Sequence, residues 1–577
     1  MDNNSFKSFD GSDIHYKHWK SKTQNEDKKA IILLHRGHEH SLRIAHLVEE
    51  LELDEFEFFA WDMRGCGKSK SQNSDDAEFA DFAKDLQYFI EHIKIGYGIK
   101  EENIAVIAQS IGAVTAALWA HDYVPNIRAL VLGACAFDIR LFVPFALSGL
   151  NLLYNLRGNF KVKSYVKPSF LTHDEDRVNS YGKDEEITKD IPVKTLLGAY
   201  AAAKRVIEDA NSIYTPVQMF IARRDFIVKK SAQKRFFNNL GSPQKECYEL
   251  PGFYHDVFGE KERHLVTEKI KRFILKCFES SPKFPSLLDA DKIGYTRAEA
   301  DRLSLPNGFF KNIYWGIDKS LIKYASLISD GVKLGFERGF DSGSSLDYIY
   351  KNQPSGATNF GAFADFIYLR SIGWRGIRQR KIHLEELLRF CVKKLRDENK
   401  SVDIVDIAAG GGRYVLESIG EMKPLPNSVL LRDFSEINVR NAHVLIKAKN
   451  LDEVVKFEQG DAFDKNSLSS LKIKPTLAIV SGLYELFGDN NMIKNSLEGL
   501  ASSMQSGSFL IYTGQPWHPQ LEYIAKVLPS HQGGKPWIMR RRTTRELDQL
   551  VQSVGFTKIT MRIDIWGIFT VSVAVRD

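Results

Sequence analysis

The chain has 577 residues, of which 43% are hydrophobic and 26% are charged, a balance typical of a soluble globular protein and not of a disordered or fibrous one. One hydrophobic core rarely serves so long a chain, so we expect two or more domains. Lys and Arg outnumber Asp and Glu by 79 to 73, a net charge of +6 that is too small to indicate nucleic-acid binding but permits contact with an anionic membrane surface.

Cysteine usage and the apolar stretches bear on the compartment. The five cysteines are scattered without a C-x-x-C pair, which indicates neither a disulfide framework nor a zinc ribbon. No secretion signal precedes the first apolar run. The longest apolar stretch, 141–156, is shorter than the roughly 20 residues of a membrane-spanning helix, so we expect a lid or core helix there. We predict a cytoplasmic protein without a metal site and leave its oligomeric state open.

In chain order, apolar runs of strand length alternate with helix-period segments, and this pattern occurs twice. The alternation predicts an α/β fold with parallel sheets and helices on both faces. A segment with two prolines, 280–292, separates the two series. We therefore predict a first domain at 1–279, a linker and helical connector at 280–335 and a second domain at 336–577. The runs are 30–34, 56–61, 103–108, 129–134 and 217–222, then 402–408, 428–433, 476–482 and 508–514.

In the first series, Ser110 directly follows a β-branched strand, and Gly112 opens the next helix. A sharp turn of this kind exposes the hydroxyl and directs the following backbone N–H, that of Ile111, at a developing oxyanion. The serine needs a base and an acid. Asp225 lies past an apolar strand 115 residues later, and His255 lies 30 residues further on. The loop after the first apolar run offers the N–H of Gly37 as a second oxyanion donor.

With these blocks, the span from about Lys7 to Phe278 resembles the monoglyceride lipase and lysophospholipase group of α/β-hydrolases, often labelled serine aminopeptidase S33. The loop at 35–41 (HRGHEHS) and the segment at 62–69 (DMRGCGKS) match its motifs, with Arg36 and His38 where glycines are usual. The resemblance implies an α/β-hydrolase fold, Ser110, Asp225 and His255 as catalytic residues, and a helical cap at about 136–216. A metal cluster of the loop histidines is an alternative that no distant carboxylate block completes.

In the second series, a strand runs into three glycines and then a helix. Glycines allow close backbone approach to a ligand, and the helix N-terminus favours anionic groups. The spacing of Asp406, Gly410 and Gly412 departs from G-x-G-x-x-G and fits D-x-G-x-G-x-G, with Ala408 at the first glycine. Asp433, 21 residues beyond Gly412, ends the next strand, where an acid accepts hydrogen bonds from ribose hydroxyls.

From about Lys394 to Asp577 the chain resembles class I S-adenosylmethionine (SAM) methyltransferases with a Rossmann-like fold. The whole C-terminal half, including its helical lead-in, is similar to the methyltransferase domain that some bacteria fuse to an α/β-hydrolase. The resemblance implies SAM as cofactor and places Asp461 and Ala462 beside adenine. Residues after the fourth and fifth strands would face the acceptor, and Glu485 or His518 could be its base. The other residues expected to face the acceptor are Tyr484, Gln515 and Trp517.

A basic run beside Trp374 reads as a solvated helix face that could hold an anionic headgroup. It comprises Arg370, Arg375, Arg378, Arg380 and Lys381.

We therefore predict a bifunctional enzyme, a serine esterase for lipid-like acyl esters fused to a SAM-dependent methyltransferase. Its partners would be small-molecule or lipid substrates, with peripheral membrane contact allowed and no nucleic acid. Two alternatives stay open. In one, a half of the chain is a non-catalytic acyl or SAM sensor; in the other, the hydrolase is a peptidase.

Overall fold

The computed structural model describes residues 2–23, 26–141, 143–530 and 533–577, apart from the side chains of residues 72 and 73. The chain forms two compact units, one running to Pro285 and the other from Ser286 to Asp577. Within the described residues, no helix is both long and apolar enough to cross a membrane.

The first unit is built on an eight-stranded sheet with the order β1-β2-β4-β3-β5-β6-β9-β10. β1 and β2 are antiparallel to their neighbours, and the pairs from β4 to β10 are parallel. The strands, with the cap hairpin β7 and β8 included, are β1 Asp2–Lys7, β2 Asp13–Trp19, β3 Lys29–Leu34, β4 Phe56–Trp61, β5 Ile104–Gln109, β6 Ala129–Gly133, β7 Lys161–Lys163, β8 Asp190–Pro192, β9 Val217–Ala222 and β10 Lys245–Leu250.

The central strands are buried because helices cover both faces of this sheet. β4, β5, β6 and β9 have no exposed residue, which explains why they read as continuous apolar runs. Two apolar clusters form the core, one on each side. The helices are α1 Leu47–Glu50, α2 Phe79–Tyr97, α3 Ile111–Asp122, α4 Ala146–Arg157, α5 Glu175–Lys183, α6 Val193–Glu208, α7 Lys230–Asn239 and α8 His264–Glu279.

The cap lies between β6 and β9 and consists of α4, α5, α6 and the β7–β8 hairpin. The helix expected within 141–156 is α4, although Phe142 lies outside the described residues. No α4 residue is buried, so the core alternative was wrong and the helix belongs to the outer surface of the cap.

The second unit contains a seven-stranded sheet with the order β13-β12-β11-β14-β15-β17-β16. All its pairs are parallel except those of β17, which runs antiparallel to both β15 and β16. The predicted α/β class is therefore confirmed for both units. The strands are β11 Asp403–Asp406, β12 Ser428–Asp433, β13 Val455–Gln459, β14 Leu477–Val480, β15 Phe509–Gly514, β16 Phe556–Ile563 and β17 Thr570–Arg576.

Six helices precede this sheet, and the last of them, α14, packs against it with a stripe of buried residues. The helices of the unit are α9 Tyr295–Ser304, α10 Phe309–Ala325, α11 Asp330–Arg338, α12 Gly343–Lys351, α13 Asn359–Leu369, α14 Ile372–Asp397, α15 Arg413–Gly420, α16 Glu436–Ala448, α17 Lys465–Ser469, α18 Asn490–Ser503, α19 Leu521–Val527 and α20 Thr544–Ser553.

Candidate active sites

Ser110 occupies the sharp turn between β5 and α3 with φ 54° and ψ −116°. Residues with a Cβ rarely adopt this strained conformation, and those that do are found mainly at functional sites. Gly112 is required for close approach, since a Cβ there would lie 2.5 Å from the carbonyl oxygen of His35. The turn therefore holds the serine hydroxyl at the carboxyl edge of the sheet.

The structure brings Ser110, His255 and Asp225 together in one hydrogen-bonded line. His255 Nε2 lies 2.8 Å from Ser110 Oγ, and its Nδ1 lies 2.8 Å from Asp225 Oδ2. The other oxygen of Asp225 accepts hydrogen bonds from the backbone of Ile227 at 2.8 Å and Val228 at 2.9 Å. Burial opposes ionisation of Asp225, but the electrostatic interaction with His255 and these hydrogen bonds outweigh it, so the pKa of the carboxyl lies below its usual value.

Two backbone N–H groups border the serine. Gly37 lies against Ile111, since a Cβ on Gly37 would be 3.4 Å from Ile111 Cγ1. As the first residue of α3, Ile111 has a backbone N–H with no acceptor inside the helix. In the described residues the Gly37 N–H also has no acceptor. Both groups are therefore available to an oxyanion beside Ser110.

A buried charge network supports the loops that carry Gly37 and His255, and sequence reasoning missed it. Arg36 donates to Glu39 at 2.9 Å and lies 3.3 Å from Asp256. Asp256 also accepts from Gln109 at 3.1 Å and lies 3.2 Å from Arg177. Although burial opposes ionisation, the two arginines hold the pKa of Asp256 far below its usual value. Arg36, which stands where the resembled family usually has glycine, thus forms ion pairs with Glu39 and Asp256 that hold the loop at 35–41 in place.

A cavity of about 450 Å³ opens beside Ser110, His255 and Gly37. Its walls come mainly from apolar side chains of α2, the cap and the loop after β9, among them Phe82, Leu196 and Ile227. An apolar cavity beside the Ser110 hydroxyl can hold a hydrocarbon chain while the polar group of the same ligand lies next to Ser110.

The loop histidines have separate partners. His35 Nε2 accepts the backbone N–H of Met63 at 2.9 Å, whereas His40 Nε2 lies 2.9 Å from Asp184. Burial lowers the pKa of His38 to about 4. Two free cysteines lie in this unit near the site: Cys66, between β4 and α2, is half-buried, and Cys135, after β6, is buried.

In the second unit, the three glycines form the turn between β11 and α15. Gly410 and Gly412 have φ values of 58° and 66°. A Cβ on Gly412 would lie 2.7 Å from Leu431 Cδ1, whereas one on Gly411 would meet nothing within 4 Å. The missing side chain of Gly412 thus allows α15 to pack closely on the sheet. Beside Gly411, the backbone at the helix N-terminus borders open space that a ligand could occupy.

Three predicted acids lie at the carboxyl ends of neighbouring strands. Asp433 Oδ2 accepts the N–H of Gly410 at 2.9 Å, so this carboxylate faces the glycine turn. Asp406 is fully buried and accepts from the Tyr414 hydroxyl, and burial raises the pKa of its carboxyl to about 7. Asp461 follows β13, is exposed and accepts the N–H of Phe463 at 2.8 Å, and Ala462 beside it is buried.

The residues fit the adenosine part of SAM. An open glycine turn, a carboxylate at the end of β12 and a second carboxylate past β13 lie along one edge of the parallel sheet. This is the edge where parallel α/β sheets bind nucleotides.

A second cavity, of about 440 Å³, lies past the ends of β14 and β15. Apolar side chains dominate its walls, among them the aromatic residues Trp374, Tyr523 and Phe569. The polar residues that line it include Arg380, Glu485, Gln515 and His518, together with Asp318, Asp341, Ser371 and Gln520.

Three of these polar residues have unused hydrogen-bonding capacity. Glu485 Oε1 accepts the Thr513 hydroxyl at 2.7 Å and lies 3.5 Å from Arg380 Nη1. Within the described residues, Glu485 Oε2, Gln515 Nε2 and the Nε and Nη2 atoms of Arg380 have no hydrogen-bond partner. Such buried groups are costly unless a ligand meets them.

His518 is neutral in this cavity because burial lowers its pKa to about 3. Its Nδ1 accepts the backbone N–H of Gln520 at 3.0 Å, so the ring proton of the neutral form resides on Nε2. His518 Nε2 is therefore a hydrogen-bond donor and cannot accept a proton from a substrate. Of the two predicted bases, only Glu485 has a free acceptor atom, Oε2, in the described residues.

Two expectations for this cavity need correction. Tyr484 does not face it but is buried in the sheet core, where its hydroxyl donates to Ser496 at 3.0 Å. Arg380 is not on a solvated face, since only 3% of it is exposed. Arg380 could have been found from its spacing, because it lies on the same α14 stripe as the buried Ile377 and Leu384.

Two family models match the chain. One, described as "Putative methyltransferase", matches residues 270–576. The other, described as "Serine aminopeptidase, S33", matches residues 25–262.

Individual proteins match as well. The "Uncharacterized protein YnbC" of Escherichia coli (strain K12) is 47% identical over 577 residues, covering 99% of this chain and 98% of that protein. "Phospholipase YtpA" of Bacillus subtilis (strain 168) is 22% identical over 253 residues, 42% of this chain and 93% of that protein. Among solved structures, Paleococcus ferrophilus monoacylglycerol lipase is 21% identical with a TM-score of 0.41, covering 46% of this chain and 99% of that one.

Proposed function

The chain belongs to the family described as "Putative methyltransferase", and from this premise we propose that it is a two-site enzyme, hydrolysing acyl esters in its first unit and transferring methyl groups from SAM in its second. For the first activity the observation that carries the proposal is the continuous hydrogen-bonded line from Asp225 through His255 to Ser110. For the second it is the carboxylate of Asp433 turned toward the open glycine turn.

In the first unit, Ser110 Oγ attacks the ester carbonyl while His255 Nε2 takes the hydroxyl proton. Asp225 keeps the ring oriented through Nδ1 and stabilises its positive charge. The N–H groups of Gly37 and Ile111 stabilise the oxyanion. His255 then gives the proton to the leaving alcohol, and water, activated by the same imidazole, releases the acid and restores the serine.

Lipid-like acyl esters are the substrate class that the first cavity favours. Its walls are largely apolar, and the exposed cap helix α4 presents Leu152 and Leu156 at its outer surface. The similarity to a phospholipase over most of this unit supports the same class.

Covalent labelling of the full chain with a fluorophosphonate tests the hydrolase proposal. We expect Ser110→Ala to abolish labelling and the exposed cap variant Ser148→Ala to keep it. Release of fatty acids from monoacylglycerol or lysophospholipid supports the ester assignment. Release of amino acids from peptides would select the peptidase alternative, and a folded wild type that resists labelling would favour an acyl sensor.

In the second unit, Gly410, Gly412, Asp433, Asp461, Ala462 and Asp406 would hold SAM. When bound, SAM supplies an electrophilic methyl group on a sulfonium. The chain's own contribution is to position the acceptor and remove its proton and water. Glu485, with its open Oε2, would receive the proton of a hydroxyl acceptor, and the Nε2–H of His518 would orient it.

The second cavity favours an apolar acceptor with an oxygen nucleophile. Its apolar walls suit a hydrocarbon body, and the open Nε and Nη2 atoms of Arg380 form the fork that binds a carboxylate or a similar oxygen group. A long-chain acid has both features and is also the product of ester hydrolysis. We therefore include methylation of such an acid in the proposal.

Thermal unfolding of the full chain tests SAM binding. Saturation at about 100 times Kd stabilises a protein by about 2.7 kcal/mol, which gives a clear rise in Tm. We expect Asp433→Ala to abolish the rise, whereas Asp452→Ala, an exposed aspartate between α16 and β13, should keep it. A full rise in Asp433→Ala would contradict the assigned cofactor site.

Methyl transfer is tested separately with labelled SAM and a cell lipid extract. Glu485→Gln should retain the SAM-dependent rise in Tm and lose transfer to a hydroxyl acceptor. SAM binding without methylation of any lipid would favour the sensor alternative.

A further inference from the structure

The loop between α13 and α14 and the start of α14 bear an arginine cavity, defined by Arg370, Arg375 and Arg378. These side chains line a space of about 360 Å³ together with Asn352, Pro354 and Phe366, and no carboxylate lines it. It is separate from both cavities beside the candidate active sites.

Among the residues that the structure describes, the three arginines have no acidic partner. Arg378 donates through Nη2 to the carbonyl of Leu369 at 2.9 Å, while its buried Nη1 has no partner among the described residues. The guanidinium groups of Arg370 and Arg375 lie over the rings of Phe366 and Trp566, at 5.0 and 4.5 Å from the ring centroids. Aromatic faces thus orient the cations and leave their N–H groups for another acceptor.

Assembling three like charges is unfavourable unless an anion offsets them. Burial, together with the charges of Arg375 and Arg370, lowers the pKa of Arg378, and no carboxylate opposes this. A guanidinium remains charged even so. The cavity therefore has the composition of a receptor for an oxyanion such as a phosphate ester.

The adjoining face of α13 is apolar and exposed. Phe360, Phe363 and Ile367 follow helical spacing, and 70%, 57% and 58% of their surfaces are exposed. A free phosphate needs no such rim. An anionic bilayer needs both parts, since large apolar side chains enter the headgroup boundary while arginines meet the phosphates.

We propose that the arginine cavity binds the phosphate of an anionic phospholipid and that the exposed face of α13 lies in the headgroup region, so that the second unit docks on an anionic membrane surface. The occupant is thus a bilayer, with phosphate contact supplying orientation and α13 supplying apolar contact.

Sedimentation of the full chain with lipid vesicles tests the proposal. We expect binding to vesicles that contain phosphatidylglycerol and little binding to pure phosphatidylcholine. Each basic residue near an anionic surface contributes about fivefold in affinity, so Arg370→Gln with Arg375→Gln should weaken binding by about thirtyfold. Phe360→Ser with Phe363→Ser should also weaken it, since the apolar contact is lost.

The matched control is Arg297→Gln with Arg440→Gln. Both residues belong to exposed helical ion pairs of the same unit, so the net charge changes equally. This control should bind nearly as the wild type does. Equal weakening in control and test variants would overturn the proposal in favour of unspecific charge attraction.

Two further results would overturn it. One is failure of the folded wild type to bind phosphatidylglycerol vesicles. The other is a rise in Tm with inorganic phosphate that Arg370→Gln with Arg375→Gln abolishes, while vesicle binding is unchanged in that variant; the cavity would then take a soluble phosphate.

Discussion

Replacing Ser110 by glycine should stabilise the first unit relative to replacing it by alanine, although both variants lack the nucleophile. The reason is the backbone, since φ 54° and ψ −116° are unfavourable for any residue with a Cβ. Such strain costs about 1–3 kcal/mol. Both variants lose the hydrogen bond to His255, so that loss cancels in the comparison.

The expected difference follows by subtraction. Glycine gives the unfolded chain more freedom, which costs about 0.5–1 kcal/mol relative to alanine. The glycine variant should therefore be more stable by up to about 2.5 kcal/mol. In a unit that runs to Pro285, each kcal/mol shifts Tm by about 2 °C, so the difference in Tm is at most about 5 °C.

Differential scanning calorimetry of the full chain measures this difference, with loss of fluorophosphonate labelling checked in both variants. Ser148, exposed within α4, provides the control of opposite sign, since alanine should exceed glycine there by about 1 kcal/mol. If the Ser110 pair showed the same order as the Ser148 pair, the turn would not be strained and the argument would fail.

Three other outcomes are expected. The pKa of Asp225 is lower in the folded than in the unfolded chain, so the ionised carboxylate stabilises the fold fully above about pH 4, and this stabilisation is lost as pH falls through the folded pKa. In urea titrations, the free energy of unfolding of the wild type should therefore decrease below about pH 4 more steeply than that of Asp225→Asn. Equal pH dependence in the two proteins would contradict this expectation. Asp256→Ala removes the carboxylate beside the half-buried Arg177 and leaves Arg36 with Glu39 alone, so we expect a loss of about 1–3 kcal/mol in unfolding free energy, and a loss below about 0.5 kcal/mol would show that the network is not needed. Gly412→Ala should lower stability by about 1–3 kcal/mol because its Cβ meets Leu431 at positive φ, whereas Gly411→Ala should leave stability within about 0.5 kcal/mol; equal effects in calorimetry would refute the assigned turn geometry.

The parts of each site that were predictable from sequence depend on local geometry. Ser110 and Gly412 occupy strand-to-helix turns whose steric demands restrict the residues at fixed spacings. The structure places Asp225 beside His255, and Asp433 beside Gly410, because the carboxyl ends of parallel strands meet at one edge.

The parts that were missed depend on packing between distant segments. Asp256 gains its partners from a loop and from the cap, which no spacing relates. The antiparallel strands β1 and β2 were not among the predicted runs, since β1 is largely exposed and β2 mixes charged residues and histidines with apolar ones. The charge of Arg380 predicts an exposed side chain, whereas its position on the buried stripe of α14 places it inside.

The position of β17 has a consequence for synthesis of the chain. Although it is the last strand in the sequence, it lies inside the second sheet between β15 and β16. β16 can join that sheet only after β17 has left the ribosome, whereas all strands of the first sheet precede residue 251 and can pair much earlier. The first unit can thus mature during translation well before the sheet of the second unit, which is completed only once β17 has left the ribosome.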